Sequence, residues 1–470
     1  MSLYYEASKF VDLSNQSGSL RSIIYSAYEN GSSNKLKSNP KQVFALVSST
    51  LQHKKVLSDV ITASGLLKVE KKITKPVALL MVHDLLLTKS GRINASKGPL
   101  KDAVLRHKTR LKAELVKYKV KHKIDKLEPS GRVDSTPVRW IRVNNLKASE
   151  KDAMIEFSNL KPVQSFKDII PGTIYKDIHV PLLFGVHPSE NIISTRAYKS
   201  GKIIIQDRAS CFPVTILAPM PGDKLIDACA APGNKTTHLA SFVAHQKPAQ
   251  KPDDNTSSIN AFERDPKRGE ILKKMIHTAG ADSIVNVNIQ DFTKSDPNEF
   301  VDVVGMVVDP SCSGSGIFGR GFVEDENTDD NNSAAASNEN LSMRLSKLAE
   351  FQYKIVLHAM SFPNVKTIVY STCSIHAEEN EQVVLRLLND DTVRQRGWKL
   401  RPRERVLPLW ERRGLENELD KESAQSCVRV QPIEDGGIGF FAACFERPVN
   451  GKLDSHHDES DNEEWTGFAD

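Results

Sequence analysis

Leu225-Ile226-Asp227-Ala228-Cys229-Ala230-Ala231-Pro232-Gly233-Asn234-Lys235 is the stretch on which the reading of this 470-residue chain turns. Leu225 to Ala228 has the apolar density of a buried strand, and Lys235 to Ala244 has helical spacing. Small residues fill the turn between them and leave the backbone open to close approach. A strand that passes into a helix through so short a turn is the opening unit of an alternating α/β fold. The alternation continues downstream. Ile259 to Glu263 reads as a strand, Pro266 to Ala279 as a helix, Ile284 to Ile289 and Val303 to Val308 as strands, Leu341 to Met360 as a long helix and Thr367 to Tyr370 as a strand. Gly439 to Phe445 reads as a late strand. The pattern predicts a Rossmann-like, doubly wound domain over residues 206–449, with a mostly parallel sheet covered on both faces.

Upstream the pattern differs. Val138 to Val143 and Lys202 to Ile205 are strand-like among helical pieces, so residues 133–205 are expected to form a small α+β region. Residues 1–97 read as a helical domain. Val43, Leu46, Val47, Leu57, Val60 and Ile61 recur at helical spacing, and Pro76 suits the first turn of a second helix. Residues 98–132 form a basic segment in which Lys101, Arg106, Lys108, Arg110, Lys112, Lys117, Lys119, Lys121, Lys123 and Lys126 meet few acids. Such a run suits a phosphate backbone, a solvated helical face or an import signal. Lys247 to Ser258 and Glu324 to Asn340 read as polar surface insertions, and residues 450–470 as an acidic, disordered tail. The net charge of +5 is too mild to name a partner, so the distribution of charge matters more than its sum. Six cysteines without a paired C-x-x-C spacing exclude a disulfide framework and a zinc module, and no metal is expected. Met1 to Leu20 lacks the pattern of a secretory signal, and no apolar run is long enough for a membrane span.

In a doubly wound sheet, ligands sit beyond the carboxyl ends of the strands. The Asp227–Lys235 segment lies there and opens a helix whose free N–H groups suit a carboxylate. Its spacing is neither that of a phosphate loop nor G-x-G-x-x-G. Glu263, with Asp265 as rival, ends the next strand, where a carboxylate accepts from ribose hydroxyls, and Asp291 follows the third. Three carboxylates at successive strand ends point to a nucleoside cofactor. Asp309-Pro310-Ser311-Cys312-Ser313-Gly314 follows the fourth strand and Ser371-Thr372-Cys373-Ser374 the fifth, so one rim of the sheet should carry both thiols. Carbon 5 of a pyrimidine is a poor nucleophile until a thiolate adds to carbon 6, which makes a cysteine useful there. A carboxyl such as Asp309 can stabilise charge at nitrogen 3, and a second thiol can assist expulsion of the first. On chemistry alone, either cysteine can be the attacking one.

In combination, Cys229-Ala230-Ala231-Pro232-Gly233-Asn234-Lys235, Asp309-Pro310-Ser311-Cys312-Ser313-Gly314 and Ser371-Thr372-Cys373-Ser374 resemble the signature motifs of the Nol/Nop/Sun (RsmB-like) family of RNA cytosine carbon-5 methyltransferases. Arg142-Val143-Asn144-Asn145-Leu146-Lys147 resembles that family's entry into its RNA-binding, RRM-like region, and Gly439-Phe440-Phe441-Ala442-Ala443 its last core strand. The N-terminal region resembles the nucleolar subfamily that modifies large-subunit (25S or 28S) rRNA. The resemblance implies S-adenosyl-L-methionine as cofactor, held by Cys229, Ala230, Ala231, Pro232, Gly233, Asn234, Lys235, Glu263, Arg268, Asp291 and Asp309. It implies Cys373 as nucleophile and Cys312 as the residue that assists product release. Ser311 between proline and cysteine separates the chain from DNA cytosine methyltransferases, which use a Pro-Cys nucleophile. Glu263 stands where relatives often have Asp, which keeps the carboxylate. The implied partner is rRNA in pre-ribosomes, bound by a monomer in the nucleus and nucleolus. A ribosome-assembly factor with secondary catalysis, a tRNA substrate, and a small-molecule or protein methyltransferase are the alternatives.

Overall fold

The computed structural model describes residues 2–11, 20–29, 37–88, 90–122, 137–244, 258–317 and 331–448. The chain divides into two compact units, Met1–Thr136 with Ile317–Ser337, and Pro137–Gly316 with Asn338–Asp470.

The N-terminal unit is helical. Its centre is the helix Lys75–Leu86, in which every residue from Val77 to Leu85 is buried. Pro76 sits in the first turn, where its missing N–H costs no hydrogen bond. Helices Ser2–Ser8, Leu20–Glu29, Pro40–Gln52 and Lys54–Ser64 surround it, and Val43, Val47, Leu57 and Ile61 lie in the shared core. The basic stretch folds as two helices, Pro99–Arg106 and Lys108–Lys121, broken at His107. Ala103, Val104 and Leu111 are buried in the same core, so the stretch is packed on one side. Lys108, Arg110, Lys112, Lys117 and Lys121 are exposed on the other. Lys123 and Lys126 lie outside the described residues.

The second unit carries two sheets. The smaller contains β1 (Arg139–Val143), β2 (Lys161–Val163), β3 (Thr173–Lys176), β4 (Leu183–Val186) and β5 (Ile203–Ile205), in the order β2-β3-β4-β1-β5. The larger contains β6 (Lys224–Asp227), β7 (Ile259–Phe262), β8 (Val285–Asn288), β9 (Val303–Val308), β10 (Thr367–Thr372), β11 (Lys399–Leu400), β12 (Cys427–Val430) and β13 (Phe440–Glu446). Its order is β11-β13-β10-β9-β6-β7-β8, with β12 beside β13. The five strands from β10 to β8 are parallel, and β13 enters antiparallel next to β10. The chain winds from β6 to one side through β7 and β8, then returns to lay β9 and β10 on the other. The crevice of a doubly wound sheet therefore falls at the carboxyl ends of β6 and β9. Their Ile226, Met306 and Val308 are fully buried, as an interior sheet requires. The doubly wound fold read from the sequence is the observed one.

One expectation needs correction. Residues 331–340 are not a loop insertion; they are the opening turns of the helix Asn331–Ala359. Acidic and polar content obscured the helix propensity of Ala334-Ala335-Ala336 and the continuity with the buried Ile355, Val356 and Ala359. Residues 324–330 and 247–257 of the two predicted insertions, and the tail 450–470, lie outside the described residues. The Arg142–Lys147 stretch begins at the end of β1, in the smaller sheet. Arg142 and Asn144 are buried, and Arg142 donates to Gln206 Oε1 at 2.9 Å and Thr237 Oγ1 at 3.1 Å. Asn144 donates to the carbonyls of Gly201 and Ala279, both at 2.8 Å. These side chains tie the small sheet to the large domain.

Candidate active site

The β6 strand ends at Asp227, buried and accepting from Thr236 Oγ1 at 2.7 Å. The chain turns through Ala228–Gly233 into the helix Asn234–Val243. Gly233 takes φ 112°, a region open to glycine, and a Cβ there would press against Met275 and Leu272 at 3.0–3.1 Å. Asp227 Oδ1 and Asn234 Oδ1 are buried at this rim without a hydrogen-bond partner. Glu263 follows β7 and is buried; it accepts from the Asp265 N–H at 2.8 Å, and Arg268 Nη1 lies 3.3 Å from its second oxygen. Arg268 also donates to the Ala231 carbonyl at 2.8 Å, so it braces the loop against Glu263. Asp265, the rival candidate, caps the helix Pro266–Ala279 by accepting from the Lys267 and Arg268 N–H groups. Asp291 stands after β8, with Oδ1 taken by Thr293 N–H at 3.0 Å and Thr293 Oγ1 at 2.7 Å.

Asp309 follows β9 and Ser371 lies in β10. The parallel register pairs Val308 with Tyr370, and Ser371 donates to Asp309 Oδ1 at 2.7 Å. Lys235 donates to Asp309 Oδ2 at 2.7 Å and to Ser210 Oγ at 3.2 Å. Burial disfavours the Lys235 ammonium, yet Asp309, Asp227 and Cys373 together hold its pKa above the usual value. A fixed cation therefore stands between the loop after β6 and the thiols.

Cys312 and Cys373, 61 residues apart in sequence, bring their Sγ atoms within 3.0 Å. The hydrogen bond to Cys373, then burial, then the charges of Cys373, Glu379 and Asp309 push the Cys312 thiol well above its ordinary range. The two thiols share a hydrogen bond in which either sulfur can be the donor. Cys229, the third cysteine of the rim, is pushed well above its ordinary range by burial and by Asp227, Asp309 and Glu263, which disfavours its thiolate. The loops are locked backbone to backbone. Gly316 N–H donates to the Cys373 carbonyl and Gly439 N–H to the Gly316 carbonyl, both at 2.9 Å. A Cβ on Gly316 would meet the Gly439 oxygen at 2.2 Å, so only glycine fits. Among the described residues no cluster of His, Cys, Asp or Glu is arranged to hold a metal, and no helix is long and apolar enough to cross a membrane.

The structure brings together Asp309, Lys235, Cys312 and Cys373, and sets Cys229 to Asn234, Glu263, Arg268 and Asp291 along the adjoining strand ends. Sequence reasoning missed Ser210, Gln352, Ser371, Glu379 and Asn380. Ser371 was within reach, since it stands two residues before Cys373 at a strand end. Glu379 accepts from the Ser313 N–H 66 residues away, a pairing with no local signal.

Residues 41–129 match the family described as NOL1/NOP2/Sun domain family member 5, N-terminal domain, and residues 214–446 match the 16S rRNA methyltransferase RsmB/F family. The chain is 39% identical over 455 residues to the 25S rRNA (cytosine-C(5))-methyltransferase rcm1 of Schizosaccharomyces pombe, covering 95% of this chain and 92% of that one. It is 33% identical over 467 residues to a 28S rRNA (cytosine-C(5))-methyltransferase of Mus musculus, covering 95% and 91%. The crystal structure of a methyltransferase homolog protein from Pyrococcus horikoshii superposes with a TM-score of 0.50 at 24% identity, over 67% of this chain and 88% of that one, and shares the fold.

Proposed function

This chain belongs to the NOL1/NOP2/Sun family of RNA cytosine carbon-5 methyltransferases, and on that premise we propose that it methylates a cytosine in large-subunit rRNA through a covalent bond to Cys373. The observation that carries the mechanism is the 3.0 Å approach of two thiols beside the Lys235–Asp309 pair. S-adenosyl-L-methionine suits the adjoining rim. Asp227 Oδ1 and Asn234 Oδ1 are buried acceptors without partners, fit for an ammonium group, and the Glu263 carboxylate at the end of β7 would accept from ribose hydroxyls. Cys229 to Lys235, Glu263, Arg268, Asp291 and Asp309 are the residues that would hold it. Bound there, it supplies an electrophilic methyl group to carbon 5.

The protein's own part is to make the base a nucleophile and then to let it go. The Lys235 ammonium favours a negative sulfur on Cys373, and Cys312 Sγ stands 3.0 Å away, within reach to donate its S–H to it. Addition of that sulfur to carbon 6 breaks the ring double bond and sends charge toward nitrogen 3, where the Asp309–Lys235 pair can hold a proton. After methylation, carbon 5 loses its proton to water, the ring double bond re-forms and the carbon–sulfur bond breaks. The Cys312 thiol then hydrogen-bonds the departing sulfur.

Attraction for RNA lies in the N-terminal unit. Residues 1–136 contain 25 Lys and Arg against 11 Asp and Glu, whereas the remainder contains 39 against 48. The exposed Lys108, Arg110, Lys112 and Lys121 present that charge on one helix. The substrate implies a nucleolar location, and a monomer suffices for the chemistry.

The test uses unmethylated large-subunit rRNA from cells lacking the protein. Cys373→Ala should neither transfer the methyl group nor form an adduct, and Cys312→Ala should accumulate a protein–RNA adduct that survives denaturation. Methyl transfer by Cys373→Ala at the normal rate would refute the assignment.

A further inference from the structure

Three consecutive polar side chains, Glu379, Asn380 and Glu381, are each fully buried. Withdrawing two carboxyls and an amide from water is costly unless each serves a partner. Their partners are the loops that carry the thiols. Glu379 Oε1 accepts from the Ser313 N–H at 2.8 Å and from Gln352 Nε2 at 2.9 Å. Gln352 Nε2 also donates to the Ser311 carbonyl at 3.1 Å. One carboxyl and one amide thus grip the residues on both sides of Cys312.

Asn380 does the same for the other thiol. Its Oδ1 accepts from Thr372 Oγ1 at 2.5 Å, and its Nδ2 donates to the Ser374 carbonyl at 3.0 Å. These are the residues on both sides of Cys373. Glu381 turns elsewhere: it pairs with Arg429 at 2.5 Å, and Arg429 donates to the Ile375 carbonyl at 3.0 Å. Neighbouring side chains reach different loops because the 3-10 turn Ala377–Glu379 ends at Asn380, whose φ −119° and ψ −98° are neither helical nor extended, before the helix Glu381–Leu388 begins.

We propose that Glu379 and Asn380 are positioning residues with divided duties, Glu379 setting Cys312 for release of the product and Asn380 setting Cys373 for attack. The proposal rests on the roles assigned to the two thiols above. Two further facts favour it. Glu379 Oε2 and Gln352 Oε1 are buried without a hydrogen-bond partner, more polarity than loop anchoring alone requires. The Glu379 charge also helps to keep the Cys312 thiol protonated, after the larger effects of Cys373 and burial.

The test compares full-length Glu379→Ala, Glu379→Gln and Asn380→Ala with wild type and Cys312→Ala, on the same unmethylated rRNA. Adduct formation and adduct resolution are timed separately in single turnover. Their ratio is independent of the fraction of enzyme that is folded. Glu379→Ala should form adduct at close to the normal rate and resolve it about tenfold or more slowly, with Glu379→Gln nearer to wild type because its amide oxygen still accepts. Asn380→Ala should slow formation by about tenfold or more and leave resolution close to normal. Equal losses in both steps for either variant, or normal kinetics in either, overturn the division of duties. If Cys312→Ala itself forms no lasting adduct, the role of Cys312 falls first and the proposal falls with it.

Discussion

Lys235 shows how much of a site a single residue can reveal. Its sequence position marks it as part of the turn after β6, and its place at the start of a helix suggests a cofactor contact. Only the folded chain shows its ammonium 2.7 Å from Asp309, a residue 74 positions away. Cys312 and Cys373 were legible as a pair because each follows a strand end among Ser and Gly. What raises the Cys312 pKa was not legible, because it is first the hydrogen bond to Cys373, then burial, then the charges of Cys373, Glu379 and Asp309. The Asp309 carboxylate, braced by Ser371 and Lys235, leads to a prediction at this scale. Asp309→Asn should lower the turnover rate by about a hundredfold to a thousandfold, the usual effect of removing one electrostatic stabiliser, and leave RNA affinity unchanged. Initial rates at saturating RNA, with binding by fluorescence anisotropy, check this; a rate within a factor of about two excludes a role in the chemistry.

At the scale of elements, the sequence carried the strands β6 to β10 and β13 and the helices Asn234–Val243 and Pro266–Ala279 to within a residue or two, since each is a local matter of periodicity and capping; β2, β3, β4, β11, β12 and the helices Arg208–Leu217 and Glu381–Leu388 were not read. The opening turns of Asn331–Ala359 escaped because polar composition was read as a loop. Caps also expose energetics that no pattern shows. Asp207 caps the helix Arg208–Leu217, accepting from Ala209 N–H at 3.0 Å and from Ile438 N–H at 3.3 Å. Desolvation of this half-buried carboxyl raises its pKa to about 6 from an ordinary 3.8, against the pull of those hydrogen bonds. A raised value favours the protonated form in the folded state, so this contribution to stability is complete below about pH 4 and is lost as pH rises through about 6. Asp207→Asn carries no charge at any pH. Relative to wild type it should gain about 2–3 kcal/mol between about pH 4 and about pH 7, whatever its absolute stability. Melting temperatures of both proteins across that range measure the gain, and a constant difference would show that Asp207 is not held protonated by burial.

For the whole molecule, charge is the informative quantity. The modest total of +5 conceals a basic first unit and an acidic remainder. If the exposed cations of Lys108–Lys121 supply the attraction for RNA, replacing Lys108, Arg110, Lys112 and Lys121 by Gln should flatten the plot of log affinity against log salt by about 3 units, near 0.7–0.9 per lost phosphate contact. KM for rRNA should rise, and the turnover rate at saturating RNA should stay the same. A salt slope equal to that of the wild type would move the RNA-binding role elsewhere in the chain.

The sequence alone determined that strand alternates with helix from Leu225 onward, that two cysteines follow the strands now called β9 and β10, and that the first unit is helical and basic. These are properties of near neighbours, set by side-chain spacing, turn residues and propensity. Tertiary structure alone decided that β9 lies beside β6, which places the crevice, that β13 runs antiparallel to β10, and that the two thiols stand 3.0 Å apart. It also decided that Lys235 faces Asp309 and that Glu379 and Asn380 brace opposite thiol loops. The reason is physical: those pairings join segments tens of residues apart, and they form only because burying the sheet leaves each polar group to find its partner among whatever the fold brings within reach.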